Sequence, residues 1–364
     1  MNINIISCAN SRCGIGRYTN ELAQQIDQTN HSVSVYRKDN EQLPLFKVYP
    51  HRSLRSLRHY IAPYYLSKAI KEECPEIWHA DYVDAASSFS YLKSTPDYLF
   101  TNVHDAIPFL FPTSKFALEF YKRQLIYTSQ VSRKIIVVSE ASKEDLVKFT
   151  GISSDKVEVI YNGINHDFFY PDTAKRKNKV FTIRYVGGLS GPHKNAESLI
   201  EVARILEASG YQFKMEIGGG FPDKTELPQL VKKYGIKSVH FAGFIPDQKL
   251  RSFLAEADLF VYPSKYEGFG FPPLEAMACG TATVSSNAGS LAEVLGEGAL
   301  TAKPDPIELS NQIMRVIDNP ELKRSMERVA ILQAEKYKWS TSAEQHIALF
   351  ERELSKTKST RKAS

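Results

Sequence analysis

Short apolar runs of strand length alternate with segments of helical period along this chain, and the alternation occurs twice. In the first half, strands are predicted at Ile3–Ser7, Val33–Tyr36, Glu76–Ala80, Tyr98–Val103, Lys134–Ser139 and Lys156–Ile160, with helices at Tyr18–Ile26 and Glu140–Phe149. In the second half, strands are predicted at Val180–Val186, Phe213–Ile217, Val239–Ala242, Leu259–Tyr262 and Ala282–Ser285, with helices at Asn195–Ser209, Lys224–Tyr234 and Gln248–Glu256. Strands that are apolar on both faces and separated by helices form parallel sheets, because each connection must cross back over the sheet and cover it. Between the halves, Pro171–Lys179 is polar, rich in lysine and without period, as a linker would be. Pro306–Leu354 is helical throughout.

The predicted architecture is α/β, with two facing Rossmann-like domains built on parallel sheets. The expected boundaries are 1–170 for the first domain, 171–179 for the linker and 180–339 for the second domain. A helix over 340–355 crosses back to the first domain, and 356–364 is a basic tail expected to be disordered. A length of 364 residues is long for one core and comfortable for two. The net charge of +5 is too mild to argue for nucleic acid. Cysteines 8, 13, 74 and 279 form no C-x-x-C pair and no zinc spacing, so free thiols in a reducing compartment are expected. Met1–Ser7 is too short for a signal peptide, and no apolar run approaches a membrane span; both point to the cytoplasm.

The chemistry concentrates in Tyr262-Pro-Ser-Lys-Tyr-Glu-Gly-Phe-Gly-Phe-Pro-Pro-Leu-Glu275. A buried strand leads in, and a short helix ending on Gly280 leads out, with Pro272 and Pro273 suited to its first turn. Glu267 is expected in the loop and Glu275 in the first helical turn. Gly268 and Gly270 leave the backbone bare, so its amides can approach a ligand. Carboxylates accept from hydroxyls and amides donate to them, which suits a sugar. A capped strand–helix connection is the plainer alternative.

Two further stretches sit at predicted strand ends. Cys8–Arg17 joins a strand to a helix and carries Gly14-Ile-Gly16, a turn whose amides can face a phosphate. The third glycine of a dinucleotide fingerprint is missing, because Thr19 stands there; that weighs against hydride transfer. His104-Asp105 follows the strand Tyr98–Val103, at the end where open α/β sheets bind ligands. Residues 45–73 set Arg52, Arg55, Arg58, Lys68 and Lys71 among Tyr60, Tyr64, Tyr65 and other apolar residues at helical period, divided by Pro63. Such a helix either lies on an anionic membrane surface or is half-buried with a solvated charged face.

Gly14-Ile-Gly16-Arg17, His104-Asp105, Val159-Ile-Tyr-Asn-Gly163, Val186-Gly-Gly-Leu-Ser-Gly-Pro-His-Lys-Asn195 and the Glu267-to-Glu275 motif occur in that order. With seven residues between those two glutamates, the chain resembles, from residue 1 to roughly residue 350, the retaining glycosyltransferases of family 4. These belong to the glycogen-synthase-like superfamily and have the GT-B architecture. The resemblance makes the first domain acceptor-binding and the second nucleotide-sugar-binding. It implies a catalytic set of His104, Lys194 and Glu267. Gly14 and Gly16 would meet the donor diphosphate, and Lys194 would supply it a cation. Glu267 and the amides of Gly268, Phe269 and Gly270 would hold the donor sugar, and Glu275 the ribose. Phe244 and Ile245 would contact the base through their backbone, and His104 would lie near the sugar.

One departure is Gly188, where the family commonly has a second phosphate-binding arginine; Arg17 and His193 are the candidate replacements. The resemblance further implies same-face transfer without metal or cofactor. His104–Pro112 and Ser286–Ala299 are similar to segments of bacterial polysaccharide mannosyltransferases. They make GDP-mannose the first expected donor and a UDP-hexose the second. The expected partners are the donor, a glycan or lipid-linked acceptor and an anionic membrane at its inner surface. Rival readings are a nucleotide-sugar epimerase, a phosphorylase with lysine-bound pyridoxal phosphate and a non-catalytic sugar-binding relative; the intact Lys194, Glu267 and Glu275 weigh against the last.

Overall fold

A computed structural model describes residues 1–10, 14–37, 45–48, 58–172 and 178–363. Cys13, Arg52, Arg55 and linker residues 173–177 lie outside these, and Arg58 and Tyr60 are described by backbone alone. The chain divides into two compact units. One comprises Met1–Gly163 with Trp339–Ser364, the other Ile164–Lys338.

Among the described residues the first unit holds a parallel sheet of seven strands: β1 (Asn2–Ile6), β2 (Ser32–Arg37), β3 (Phe46–Val48), β4 (Ile77–Ala80), β5 (Leu99–Val103), β6 (Lys134–Val137) and β7 (Val157–Val159). Their order is β3-β2-β1-β4-β5-β6-β7. The second unit holds six: β8 (Phe181–Val186), β9 (Phe213–Gly218), β10 (Val239–Gly243), β11 (Leu259–Tyr262), β12 (Thr283–Ser286) and β13 (Leu300–Ala302). They run β10-β9-β8-β11-β12-β13, again all parallel. Every residue of β4, β5, β11 and β12 is buried, which is why these strands are unbroken runs rather than alternating ones. One core cluster of the first unit gathers Ile6, Leu66, Trp78, Phe89 and Leu99; another gathers Val103, Leu125, Ile135 and Leu146. Truncating such a leucine costs roughly 2–5 kcal/mol.

In each sheet the strand order reverses next to its first strand. β1 lies between β2 and β4, and β8 lies between β9 and β11. The loops leaving the two middle strands at these reversals part to opposite faces, which opens a crevice at the strand ends.

Several features depart from the expectations. The helix Lys115–Val131 has no counterpart in them; Ser114 caps it by accepting the Ala117 amide at 3.0 Å, and Tyr121, Leu125 and Thr128 form its buried stripe. The edge strands β3 and β13 are three residues each, too short for a periodic signal. Pro63 lies inside the helix Arg58–Ile70 rather than dividing it; it sits in the second turn, where it removes a single backbone bond. The second compact unit begins at Ile164, which donates its amide to the Tyr337 carbonyl at 3.0 Å and pairs with Lys338. The last helix, Trp339–Ala363, packs on the helix Gly14–Asp27 of the first unit. It continues past residue 355, where composition predicts disorder, since Lys356–Ala363 contains neither glycine nor proline.

Candidate active site

In the second unit the loops leaving β8 and β11 are stitched together at the reversal point. Lys265 donates its amide to the His193 carbonyl at 2.6 Å, and the Ser264 hydroxyl lies 2.8 Å from the same oxygen. Asn195 adopts φ of +54°, a conformation that asparagine tolerates better than most residues. Its side-chain amide donates to the carbonyls of Pro263 at 2.9 Å and Pro304 at 3.2 Å. These contacts aim Lys194 across to the neighbouring loop. Its ammonium donates to both carboxylate oxygens of Glu267, at 2.8 and 3.0 Å.

Glu267 is itself held from every side. The Tyr262 hydroxyl donates to Oε1 at 2.9 Å and the Ser264 hydroxyl at 2.7 Å. The backbone carbonyl of Glu267 accepts from the amide and the hydroxyl of Ser290, both at 3.1 Å. Burial, with the Glu267 carboxylate second, holds Tyr262 well above the ordinary phenol range, so it remains a donor. Its ring stacks on Tyr185 at 5.8 Å, which fixes the hydroxyl in place. Tyr262, Ser264, Asn195 and Ser290 escaped the sequence reading as site residues. The Tyr-Pro-Ser run just ahead of Glu267 was the available signal for the first two.

Beyond Glu267 the chain turns through Gly270 at φ +92°, and a Cβ there would meet Leu291 Cδ2 at 2.6 Å. The helix Phe271–Ala278 begins at once, with Pro272 and Pro273 in its first turn. Glu275 is its fifth residue, one turn deeper than expected, and is 3% exposed. Phe269 is buried and packs edge-on against Phe271 and Tyr337, at 5.1 and 5.6 Å. Its side chain therefore anchors the loop.

Phe244 and Ile245 leave the end of β10, two strands from β8. Phe244 is 72% exposed, and a Cβ on Gly218 would meet Ile245 Cγ1 at 2.9 Å. A polar cavity of about 410 Å³ flanks the Lys194 loop, lined in part by Ser190, Gly191, Asn195, Lys224 and Lys265. A Cβ on Gly188 would stand 3.6 Å from Lys194 Cγ, an ordinary contact, so the position has room for a side chain beside that lysine. His193 is held below its ordinary range by burial and by the Lys194 cation. It is neutral near pH 7.

In the first unit the expected residues also sit at the reversal. The helix Gly14–Asp27 opens with Gly14 exposed and Gly16 buried, so both glycines belong to its first turn rather than to a loop before it. His104 follows β5 and is partly buried. Its Nε2 lies 2.8 Å from the Asp81 carbonyl, which can only accept. Nε2 therefore carries the proton. Burial lowers this imidazole to about 4, so Nδ1 is bare at neutral pH. In this state His104 offers a ligand an acceptor, suited to a hydroxyl rather than to a phosphate. The structure thus joins Lys194, Glu267 and the 268–275 turn in one cluster of the second unit, while Gly14, Gly16 and His104 belong to the first.

Comparison with known proteins agrees with this division. Residues 13–168 match the family model described as Glycosyltransferase Family 4, and residues 169–333 the one described as Glycosyl transferases group 1. The serotype-specific mannosyltransferase WbdA of Escherichia coli is 29% identical over 261 residues, which cover 66% of this chain and 31% of WbdA. The chain thus spans under a third of that relative's length. The O-antigen chain mannosyltransferase B of Escherichia coli is 26% identical, with 74% of each chain covered. Among solved structures, Anabaena Alr3699/HepE in complex with UDP and glucose superposes with a TM-score of 0.79 at 20% identity, covering 97% of this chain and all of the other. That likeness establishes the GT-B fold.

Proposed function

Because the chain belongs to the family 4, group 1 glycosyltransferases, we propose that it moves a hexose from a nucleotide sugar to a glycan or lipid-linked acceptor in surface-polysaccharide synthesis. Mannose is the first reading, supported by the names of the mannosyltransferase relatives, with GDP-mannose as the donor we expect. The observation that carries the proposal is the Lys194–Glu267 pair: a cation and a carboxylate bonded at 2.8 Å where strand order reverses. An incoming donor offers each a better partner. The diphosphate takes Lys194, and the sugar hydroxyls take Glu267, which Tyr262 and Ser264 keep in position.

In the proposed transfer the bond from the anomeric carbon to the phosphate oxygen breaks, and the acceptor oxygen bonds to that carbon on the same face. The acceptor's proton passes to the departing phosphate. Lys194 stabilises the charge that grows on the leaving group. His104 accepts a hydroxyl of the bound sugar. Glu275 holds the ribose, the amides of Gly268, Phe269 and Gly270 face the sugar, and Gly14 and Gly16 face the diphosphate. Phe244 and Ile245 border the base. No metal or cofactor enters this scheme. The proposed place of work is the cytoplasmic membrane surface, reached through the helix Arg58–Ile70. Among the described residues no helix is long and apolar enough to cross a membrane.

A UDP-hexose is the second reading, supported by the UDP and glucose bound in Alr3699/HepE. Thermal-shift measurement against GDP-mannose, UDP-glucose and UDP-N-acetylglucosamine separates the two. A ligand at a hundred times its dissociation constant stabilises by roughly 3 kcal/mol, which moves a melting point by several degrees. A shift with GDP-mannose alone supports the first reading, and one with a UDP-sugar the second. No shift with any of them overturns the proposal.

A further inference from the structure

Beneath His104 lies a buried polar chain whose hydrogen-bond directions are fixed by its ends. The Tyr18 hydroxyl stands 3.0 Å from His79 Nε2 and 3.0 Å from His346 Nε2. His346 Nδ1 lies 2.7 Å from the Ser342 carbonyl, so Nδ1 carries the proton. Burial holds this imidazole at about 4 and hence neutral, leaving Nε2 bare. Tyr18 therefore donates to His346. Its oxygen then accepts from His79, which must carry its proton on Nε2. The residue after Tyr18 repeats the pattern: Thr19 donates its hydroxyl to Asp81 Oδ2 at 2.8 Å. Two consecutive helix residues thus hold His79 and Asp81, at and just beyond the end of β4.

His104 rests on this assembly. Its Nε2–H donates to the Asp81 carbonyl. The Tyr18 ring meets it edge-on at 4.9 Å, and Tyr82 stacks on it at 6.2 Å. We infer that Tyr18 is a positioning residue for His104: held by His346 of the C-terminal helix, it fixes the end of β4 and thereby the Asp81 carbonyl, the acceptor that keeps His104 in the tautomer presenting a bare Nδ1 to a ligand hydroxyl. The inference rests on the reading that His104 faces the sugar, but its test requires neither donor nor acceptor. The ionisable groups around the assembly are Asp81, Asp84, Asp105, Tyr82, Tyr121, His79 and Arg37. None of them places a cation against His104 to hold the tautomer instead.

The test is long-range nitrogen–proton correlation on the histidine-labelled full chain, with His104→Asn identifying the His104 signals among the nine histidines. In the wild type, His346 should show a protonated Nδ1 and a bare Nε2, and His79 the reverse; the opposite pattern in either overturns the chain without any variant. In Tyr18→Phe and in His346→Leu, the two His104 nitrogens should shift from one protonated and one bare position towards an averaged pair. His346→Gln, which keeps an acceptor near the Nε2 position, should retain the wild-type pattern. If Tyr18→Phe fails to fold, the contrast between His346→Leu and His346→Gln decides. Should both disruptive variants lower the melting temperature and leave the His104 nitrogens unmoved, the chain is structural only and the inference fails.

Discussion

A single carboxylate oxygen, Glu267 Oε1, receives Lys194, Tyr262 and Ser264 within 2.9 Å. Such crowding fixes the carboxylate before any ligand arrives. Removing Lys194 leaves Glu267 two neutral donors, so Lys194→Ala should fold and still bind nucleotide. It should turn over on the order of a hundredfold more slowly, because the leaving group loses its cation. Initial rates at saturating donor check this, and near wild-type turnover would remove Lys194 from the leaving-group role. The two glutamates should separate in calorimetry with the bare nucleoside diphosphate. Glu275→Ala is expected to weaken that binding, and Glu267→Ala to leave it within about twofold while abolishing transfer; both effects follow from the loss of charge-assisted hydrogen bonds to different parts of the donor. The reverse pattern would mean that sugar and ribose have been exchanged in the assignment.

At the scale of elements, the loop after β12 is what keeps the motif rigid. Gly289 has φ of +61°, and a Cβ there would meet the Glu267 carbonyl at 2.6 Å and its amide nitrogen at 3.0 Å. Gly289→Ala should therefore push the Glu267 backbone off Ser290. It should cost roughly 1–3 kcal/mol of stability by chemical denaturation and lower turnover further than that loss explains. Full activity in this variant would show that the loop only caps the strand. The helix Arg58–Ile70 carries a different expectation. Tyr64 and Tyr65 are each 41% exposed, and the Lys68 ammonium sits 4.5 Å from the Tyr64 ring. An exposed cation among tyrosines suits the headgroup layer. Lys68→Glu with Lys71→Glu should abolish sedimentation with anionic vesicles at low salt and leave the circular dichroism unchanged. Equal pelleting of this variant and the wild type would move membrane contact elsewhere.

The molecule as a whole should lose stability in acid. Burial depresses His346 and His104 to about 4 and His79 well below its ordinary 6.5. A depressed folded value means that the stability each contributes is present above pH 6.5 and is lost as pH falls towards 4. Asp81 works the other way: burial raises it to about 7, so its contribution is present below its ordinary 3.8 and is lost as pH rises through 7. Between pH 6.5 and 4, three imidazoles oppose one carboxyl. Each fully shifted group is worth roughly 1.4 kcal/mol per pH unit, so the net expectation is a fall on acidification. Chemical denaturation from pH 4 to 8 measures it, and His346→Gln should flatten the acid limb. A flat profile would mean that these imidazoles are solvated.

Sequence alone was enough for the two-fold alternation of strand and helix, because strands buried on both faces must be continuous apolar runs and their parallel connections must be helical. It was enough also for the loop position of Glu267, since glycines at 268 and 270 and prolines at 272 and 273 dictate a bare turn followed by a helix start, but it set Glu275 one turn too early. Gly188 stood out only against the pattern of the family that the chain resembles. Tertiary structure decided what periodicity cannot carry. The three-residue edge strands β3 and β13 exist through pairing with longer neighbours. The helix Lys115–Val131 takes its direction from a core contributed by distant strands, and Ile164 is tied to Tyr337 across the sequence by a backbone bond. The same holds for chemistry. Lys194 and Glu267 meet because β8 and β11 are adjacent, and His104 is neutral because Tyr18, Asp81 and Tyr82 enclose it. Local spacing encodes turns and helix starts; strand order and burial bring distant side chains together and set their charge.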